Sequence, residues 1–447
     1  MNRKNFLIHN YLFVLLAVFF TCTWRLNSSD AEPVDLLERL RALPGVVKVT
    51  EIKPNHFYKR AFEIDVLQPV DHQKPGGPTF TQRVYLSHMS EKKPMVFAPS
   101  GTRTYPRWVQ EIAYLLHINN LSVTHRYWEG SKPEPADWRY LTVRQSAADH
   151  HRIVTLFKRI YKGVWLSSGL SKSGMTALFH RRFYPGDVRA TIAKGAPMMR
   201  EVNDRRFGAF LESVADAETR RKVKHFQRMA LENRERLIPM VKQFFQQQKE
   251  DTFSVDPAEA LEYHVIEHYF HYFQYYNRNQ KPIPGPGASA DDIFEHLNSI
   301  ASLTVWSEKY WEWYAPSLYQ QLTELGCPGY PEFVWGHLKD LLIHVKKPTM
   351  ERYAPDIGRK YSFNPEVMKD ILNWLQTKGN NIIYIYGSLD PWAATAVELT
   401  GKTNALKIVQ QGGDHRLRII HLDKKQLVYS TLEQWLGIKM EEKITKR

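Results

Sequence analysis

The stretch VWLSSGLSKSGMTALFH at residues 164–180 constrains this chain more than any other. A β-branched and aromatic run gives way within a few residues to an apolar run of helical spacing. The junction is built of small side chains: Ser167, Ser168, Gly169, Ser171, Ser173 and Gly174. So abrupt a change of period, with so little bulk at the change, reads as a strand turning sharply into a helix where two backbones pass closely. Such a turn can be a mere connection, or it can hold one serine out at the sheet edge as a nucleophile.

The surrounding texture supports a sheet. From about Val46 to Pro197, β-like runs such as FEIDV, QRVYLSHM, PMVFAPSG, LSVTHRYW, GVWLSSG and VRATIAKGAP alternate with helix-like ones, among them EIAYLLHIN and RQSAADHHRIVTLFKRIY. That alternation predicts a mostly parallel sheet with crossover helices, opened by one or two antiparallel strands. From about Arg200 to His344, charged segments of helical period replace the strands, including ALEYHVIEHYFHYFQYY ahead of the loop KPIPGPGASADD. Strand texture returns after Pro355 with NNIIYIYGSLDPW and NALKIVQQGGDH, before a closing helix KQLVYSTLEQWLGI. The simplest organisation is a leader over 1–30, an α/β domain in two parts, 31–199 and 355–447, and a helical insertion over 200–354.

The leader reading rests on MNRKNFLIHNYLFVLLAVFFTCTW, where Arg3 and Lys4 precede an apolar run from Tyr11 to Thr23. The run is shorter than the ~20 residues of a membrane-spanning helix, and no second one follows. It reads as a secretory signal of roughly 30 residues removed on export, so the mature chain is expected to be secreted or periplasmic, without a stable membrane span. A lipid anchor at Cys22 is the weaker alternative, because Phe19, Phe20 and Thr21 are bulky for a lipoprotein processing site. Of the two cysteines only Cys327 would then remain, leaving no internal disulfide to support the fold. With 43% hydrophobic and 13% aromatic residues the core can carry it. The net charge of +14 becomes about +12 without Arg3, Lys4, Arg25 and Asp30. The basic residues are scattered and no nucleic-acid-reading motif occurs, so acidic surfaces or substrates are expected rather than nucleic acid. The sequence pattern does not set an oligomeric state.

In a sheet hydrolase a nucleophilic serine sits on a strained strand-to-helix turn usually spelled G-x-S-x-G. Here it reads Gly169-Leu170-Ser171-Lys172-Ser173-Gly174, with the leading glycine in place and the trailing one a step late. A serine hydroxyl needs a base to take its proton, and the base needs an orienting carboxylate, in the chain order serine, acid, histidine. Two strand ends supply them: IIYIYGSLDPW carries Asp390, and VQQGGDHRLRI carries His415. Asp414 and His421 are the spare choices, the first too close along the chain to orient the ring. For the developing oxyanion the first donor by position is the backbone N–H of Lys172. The second is expected from the PSGT turn at 99–102 or from the hydroxyl of Tyr127.

The segment THRYWEGSKPEPADWRYLTVRQSAADHHRIVTLFKRIYKGVWLSSGLSKSGMTALFHRRFYPGDV, with YGSLDPW and GGDH later, resembles the secreted bacterial serine peptidases that act as prolyl tri/tetrapeptidyl aminopeptidases. More remotely it is similar to the lysosomal prolyl carboxypeptidases. The resemblance covers most of the mature chain. It implies an α/β-hydrolase with a mostly parallel sheet and a large helical cap, cleaving short peptides from a free N-terminus, often beside proline. It assigns the nucleophile to Ser171, the acid to Asp390 and the base to His415. It also marks Tyr127 and the segment Tyr319 to Gly326, where Glu324 is a candidate partner for a substrate ammonium. Two positions depart from the family: Ser173 stands where glycine is common, which bears on the turn, and Thr124 where glutamate is common, which bears on substrate anchoring.

Three rival readings have their own residues. HVIEH at 264–268 matches H-x-x-E-H, a zinc pattern of one metallopeptidase class, though no third ligand is apparent. A lipase or esterase on the same fold would want a broad aliphatic cap, whereas this one mixes Trp306, Trp311, Trp313 and Tyr314 with Glu308, Glu312 and Glu324. A catalytically inactive binding protein would not need Ser171, Asp390 and His415 together. The expectation is therefore a secreted serine peptidase with peptide substrates and no metal or organic cofactor.

Overall fold

The computed structural model describes residues 34–276, 282–357 and 360–439. The expected leader over 1–30 lies outside them.

Among the described residues nine strands form one sheet. In chain order they are β1 (Val46–Ile52), β2 (Arg60–Pro69), β3 (Thr79–His88), β4 (Met95–Pro99), β5 (Asn119–Val123), β6 (Trp165–Leu170), β7 (Ala190–Lys194), β8 (Ile382–Gly387) and β9 (Leu406–Gln410). Their spatial order is β1-β2-β3-β5-β4-β6-β7-β8-β9. β1, β2 and β3 run as an antiparallel meander, and β3 also pairs antiparallel with β5. From β5 onward every pairing is parallel. The antiparallel part is thus one strand larger than the sequence texture suggests. The strand missed there is β1, an edge strand with Val49 buried and Lys48 and Glu51 exposed, whose charges blunt its free edge and also erase the alternation that would reveal it.

Strands β4, β6, β7 and β8 read as near-continuous apolar or small runs because both faces are covered. One face of β8 places Ile383 and Ile385 with Leu166, Ile192 and Ile408 against helices Glu111–Leu116 and Lys425–Leu436. The other places Ile382, Tyr384 and Tyr386 against Met175, Leu178 and Phe179 of helix Lys172–Phe183 and Met368, Ile371 and Leu375 of helix Pro365–Thr377. Ser167 and Ser168 belong to β6 itself rather than to the turn. Their hydroxyls are bonded across the sheet and to a neighbouring loop, Ser167 Oγ to Thr191 Oγ1 at 2.9 Å and Ser168 Oγ to Gln110 Oε1 at 3.3 Å.

Between β7 and β8 the described chain is helical. Helices Ala217–Glu232, Arg234–Gln247, Pro257–Gln274 and Ala290–Ile300 enclose their own apolar cluster around Phe226, Leu261, Val265, Ile266, Leu297 and Trp306. None of the helices among the described residues is long and apolar enough to cross a membrane.

One buried ion pair ties the sheet to the segment after β5. Arg126 and Asp149 are both wholly buried, and the guanidinium donates to the two carboxylate oxygens at 2.7 and 2.8 Å. Its remaining N–H groups reach the carbonyls of Val70 and Tyr140, and His72 Nε2 lies 2.7 Å from Asp149 Oδ1. Burial pushes the Asp149 carboxyl up, but the Arg126 charge and these hydrogen bonds outweigh it and hold it at about 2. Removing one partner strands a charge in the interior, so Asp149→Ala is expected to lower the unfolding free energy by about 3–5 kcal/mol in urea titration. Because the folded value is depressed, this stabilisation is present above the ordinary aspartate range near 4 and disappears as pH falls toward 2. The acid slope of stability in that window should therefore flatten in Asp149→Asn.

Candidate active site

β6 ends at Leu170 and the next helix starts at Lys172, which leaves Ser171 alone in the turn with φ +58° and ψ −130°. A side chain at positive φ is strained by about 1–3 kcal/mol and persists only where its surroundings enforce it. Here the enforcement is close packing. A Cβ on Gly169 would lie 2.3 Å from the backbone carbon and oxygen of Ser173, and one on Gly174 would lie 3.0 Å from the Ala196 Cβ. The glycine demand thus falls two before and three after Ser171. At Ser173 itself a side chain is accommodated, and its hydroxyl accepts a hydrogen bond from the Gly101 N–H at 3.1 Å. The departure from the usual spelling therefore fastens the loop after β4 to the turn. That loop lies directly against residue 172, since a Cβ on Gly101 would sit 2.6 Å from the Lys172 backbone carbon.

β8 and β9 bring the other two groups. Asp390 follows β8 by three residues, is wholly buried, and accepts from the Trp392 N–H at 3.1 Å through Oδ1. Its Oδ2 lies 2.7 Å from His415 Nδ1, on the loop after β9. The two loops pass so closely that a Cβ on Gly387 would lie 2.3 Å from the Gly413 carbonyl oxygen. Beyond His415 the chain is pinned by Glu111, whose carboxylate accepts from the N–H groups of Ile419 and Ile420 and from Lys194 Nζ.

The end of β7 joins the two halves. The Ser171 N–H donates to the Lys194 carbonyl at 2.8 Å, and the next residue, Gly195 at φ +48°, lies under the imidazole. A Cβ there would be 3.1 Å from His415 Nδ1 and 3.4 Å from Asp390 Oδ2. Ser171, Asp390 and His415 are thereby gathered at the carboxyl edge of β6, β7, β8 and β9. Among the described residues the bonded pair is Asp390 with His415. The Ser171 hydroxyl makes no hydrogen bond to the ring, a contact that commonly tightens only when substrate is bound.

The remaining expected residues fall in different places. Lys172 occupies the first helical position, where a backbone N–H has no intrahelical acceptor. Its side chain turns toward the helical segment, with Nζ donating to Gln320 Oε1 at 2.6 Å and lying 4.4 Å from the Trp128 ring centre. Tyr127 directs its hydroxyl to the Asp137 carbonyl and stacks on Trp138. Its one donor proton is thus engaged with Asp137, whereas Gly101 of the 99–102 turn lies against residue 172. Glu324 sits in a π-helical turn, Gln321–Leu325, and accepts the N–H of Val143 at 2.7 Å, at the start of helix Val143–Phe157. Burial raises its carboxyl to about 7.

A pocket of about 560 Å³ opens beside the paired loops. Trp392 and Arg416, neighbours of Asp390 and His415 in sequence, form one wall. Helix Pro257–Gln274 lends Glu267, Phe270 and His271, and helix Glu308–Gln320 lends Tyr310, Trp311, Trp313 and Tyr314. Of the acids expected here, Glu308, Glu312 and Glu324 are not among the lining residues, whereas Glu267 is. The sequence pattern placed Glu267 in HVIEH as a zinc motif, and the structure gives these residues other partners. His264 Nδ1 accepts from Trp306 Nε1 at 3.1 Å, and His268 packs on Phe226 and His296. Among the described residues no grouping of three His, Cys, Asp or Glu side chains is able to hold a metal ion.

The family model for the PS-10 peptidase S37 family matches residues 29–443. The chain belongs to this family. It is 32% identical over 425 residues to a prolyl tri/tetrapeptidyl aminopeptidase of Streptomyces mobaraensis, covering 92% of this chain and 87% of that one. Solved structures with which it aligns include an α/β hydrolase from Penicillium sp. sh18, at 13% identity, 85% and 99% coverage and a TM-score of 0.39. A proline iminopeptidase of Mycobacterium smegmatis aligns at 13% identity, 83% and 97% coverage and a TM-score of 0.37. As an S37 family member with this sheet, the protein is a serine peptidase on an α/β-hydrolase fold.

Sequence reasoning missed Gly195, whose signal is only the absence of a side chain beside residues remote in the chain. Gly195→Ala should wedge a methyl group against the imidazole and carboxylate. We expect kcat/KM to fall by about 10²-fold, and the melting temperature to fall as well because alanine at φ +48° is strained, as read by peptide hydrolysis and calorimetry.

Proposed function

We propose that the protein is an exported serine aminopeptidase that releases short peptides from the free N-terminus of its substrates, by way of an acyl-enzyme on Ser171. The observation carrying this reading is the His415 to Asp390 hydrogen bond at 2.7 Å, beside the strained Ser171 turn on the same sheet edge. The name of the Streptomyces relative supports the peptide substrate and the aminopeptidase direction. In this reading residues 200–354 cap the catalytic domain and limit entry to short or unfolded chains, and the first 30 or so residues are an export signal.

Ser171 Oγ attacks the scissile carbonyl carbon while His415 Nε2 takes the hydroxyl proton, and Asp390 steadies the resulting imidazolium. The carbonyl electron pair moves onto oxygen, where the Lys172 N–H and a donor of the 99–102 turn meet the charge. Collapse breaks the C–N bond, and the imidazolium gives its proton to the departing amine. Water then repeats the sequence to free the N-terminal peptide and restore Ser171. The aromatic pocket with its carboxylate suits a peptide carrying a charged end better than the aliphatic chain of a lipase substrate.

Ser171→Ala should lose at least about 10³-fold in kcat on peptide anilides, and a fluorophosphonate probe should label the parent protein and not the variant. An active variant or an unlabelled Ser171 in active enzyme would sink the proposal. A second expectation concerns Tyr127→Phe. An oxyanion donor would cost about 10²–10³-fold in kcat on removal, whereas a hydroxyl engaged with Asp137 should cost less than about fivefold.

A further inference from the structure

The pocket contains one acid among its described lining residues, Glu267, alongside the basic side chains His271 and Arg416. The side chain is 21% exposed, so it is reachable from the cavity. Oε1 accepts from the Tyr330 hydroxyl at 2.5 Å, which fixes the carboxylate, and Oε2 lies 3.5 Å from His271 Nε2. His271 Nδ1 is already bonded to Gln274 Oε1 at 2.9 Å. No lysine or arginine among the described residues pairs with Glu267. Burial pushes its carboxyl up, yet His271 and Tyr330 outweigh this and hold it below the ordinary glutamate value, hence charged at neutral pH. Tyr310 and Tyr314, stacked 5.8 Å apart, line the same cavity with Trp306 and Trp311. Aromatic faces around a fixed carboxylate are the chemistry that holds an ammonium group.

The helix bearing Glu267 also relates this point to the catalytic loops. Gln274, seven residues further on, ends the helix, and its carbonyl accepts the His415 N–H at 3.1 Å. Seven helical residues span about 10 Å along the axis. An extended peptide covers about the same distance in three residues.

We propose that Glu267, positioned by Tyr330, binds the α-ammonium group of the substrate's N-terminus, and that its spacing from His415 sets how many residues precede the cleaved bond. This rests on the aminopeptidase reading and names the side chain that enforces it. Glu324, the partner expected from the sequence, is engaged with Val143 and is partly neutral near pH 7.

The test separates binding from catalysis by using the Ser171→Ala protein. Tryptophan fluorescence measures the Kd of a tripeptide amide with a free amine and of its N-acetyl form. Adding Glu267→Gln should weaken the free-amine peptide by about 10- to 100-fold and leave the acetylated one within about twofold. Tyr330→Phe should shift the same ratio by a smaller factor, and it decides the matter if Glu267→Gln does not fold. With Ser171 restored, Glu267→Gln should raise KM far more than it lowers kcat and should release products of mixed length. An unchanged free-amine preference in a folded Glu267→Gln protein overturns the proposal, as does loss of that preference on Glu324→Gln instead. Because the binding arm needs no turnover, it judges Glu267 even if Ser171 is not the nucleophile.

Discussion

The parallel pairing of β6, β7, β8 and β9 is the constraint on which the site depends. Parallel neighbours end on the same side, so the turn after β6, the glycine after β7 and the loops after β8 and β9 emerge at one edge. Residues 171, 195, 390 and 415 share one edge for this reason, across a helical excursion of nearly two hundred residues between β7 and β8. An antiparallel pairing at any of these steps would send one group to the far edge. The apolar faces of β8 enforce the arrangement, since each must be covered by a different helix layer, and a crossover helix is what returns the chain in parallel.

Close backbone approach is the second element. The Ser171 turn is held in an unfavourable conformation by contacts that a single methyl group would disrupt, at Gly169 and at Gly101. The strain is local, and the energy that offsets it comes from the packed strand and helix on either side. The serine at 173 shows how such a turn tolerates change: the volume a glycine would leave is taken by a hydroxyl that finds a donor in Gly101. Two sets of buried charges elsewhere in the interior are satisfied in the same way. Glu111 and the Arg126 to Asp149 pair each bind several partners from distant segments. Buried charge is thereby used to hold loops that the apolar core does not reach.

The helical segment contributes a surface of different character. Its interior is apolar, but the face toward the catalytic loops is aromatic with one charged acid, Glu267. Local sequence period identifies such helices without saying which face meets the sheet. HVIEH illustrates the difficulty, because the spacing that would suit a metal on one helix face serves here to bury His264 and His268 while Glu267 turns toward the cavity.

Much of the architecture was legible in the sequence. Apolar runs bounded by small residues gave β2 to β9, the change of period gave the Ser171 turn, and chain order pointed to Asp390 and His415, which are hydrogen-bonded on the sheet edge that carries this turn. Those features are local, or follow from chain order, and both survive in a one-dimensional record. Other features were decided by tertiary structure. β1 is an edge strand whose charges hide its pattern, the reversal of β4 and β5 in space leaves no local trace, and Gly195 matters only for the ring above it. The hydroxyl of Tyr127 and the carboxylate of Glu324 had chemistry that fitted the site, but their hydrogen bonds are made to the backbone of Asp137 and Val143. A sequence states what a side chain can donate or accept, whereas the partner it meets is fixed by the packing of segments far apart in the chain.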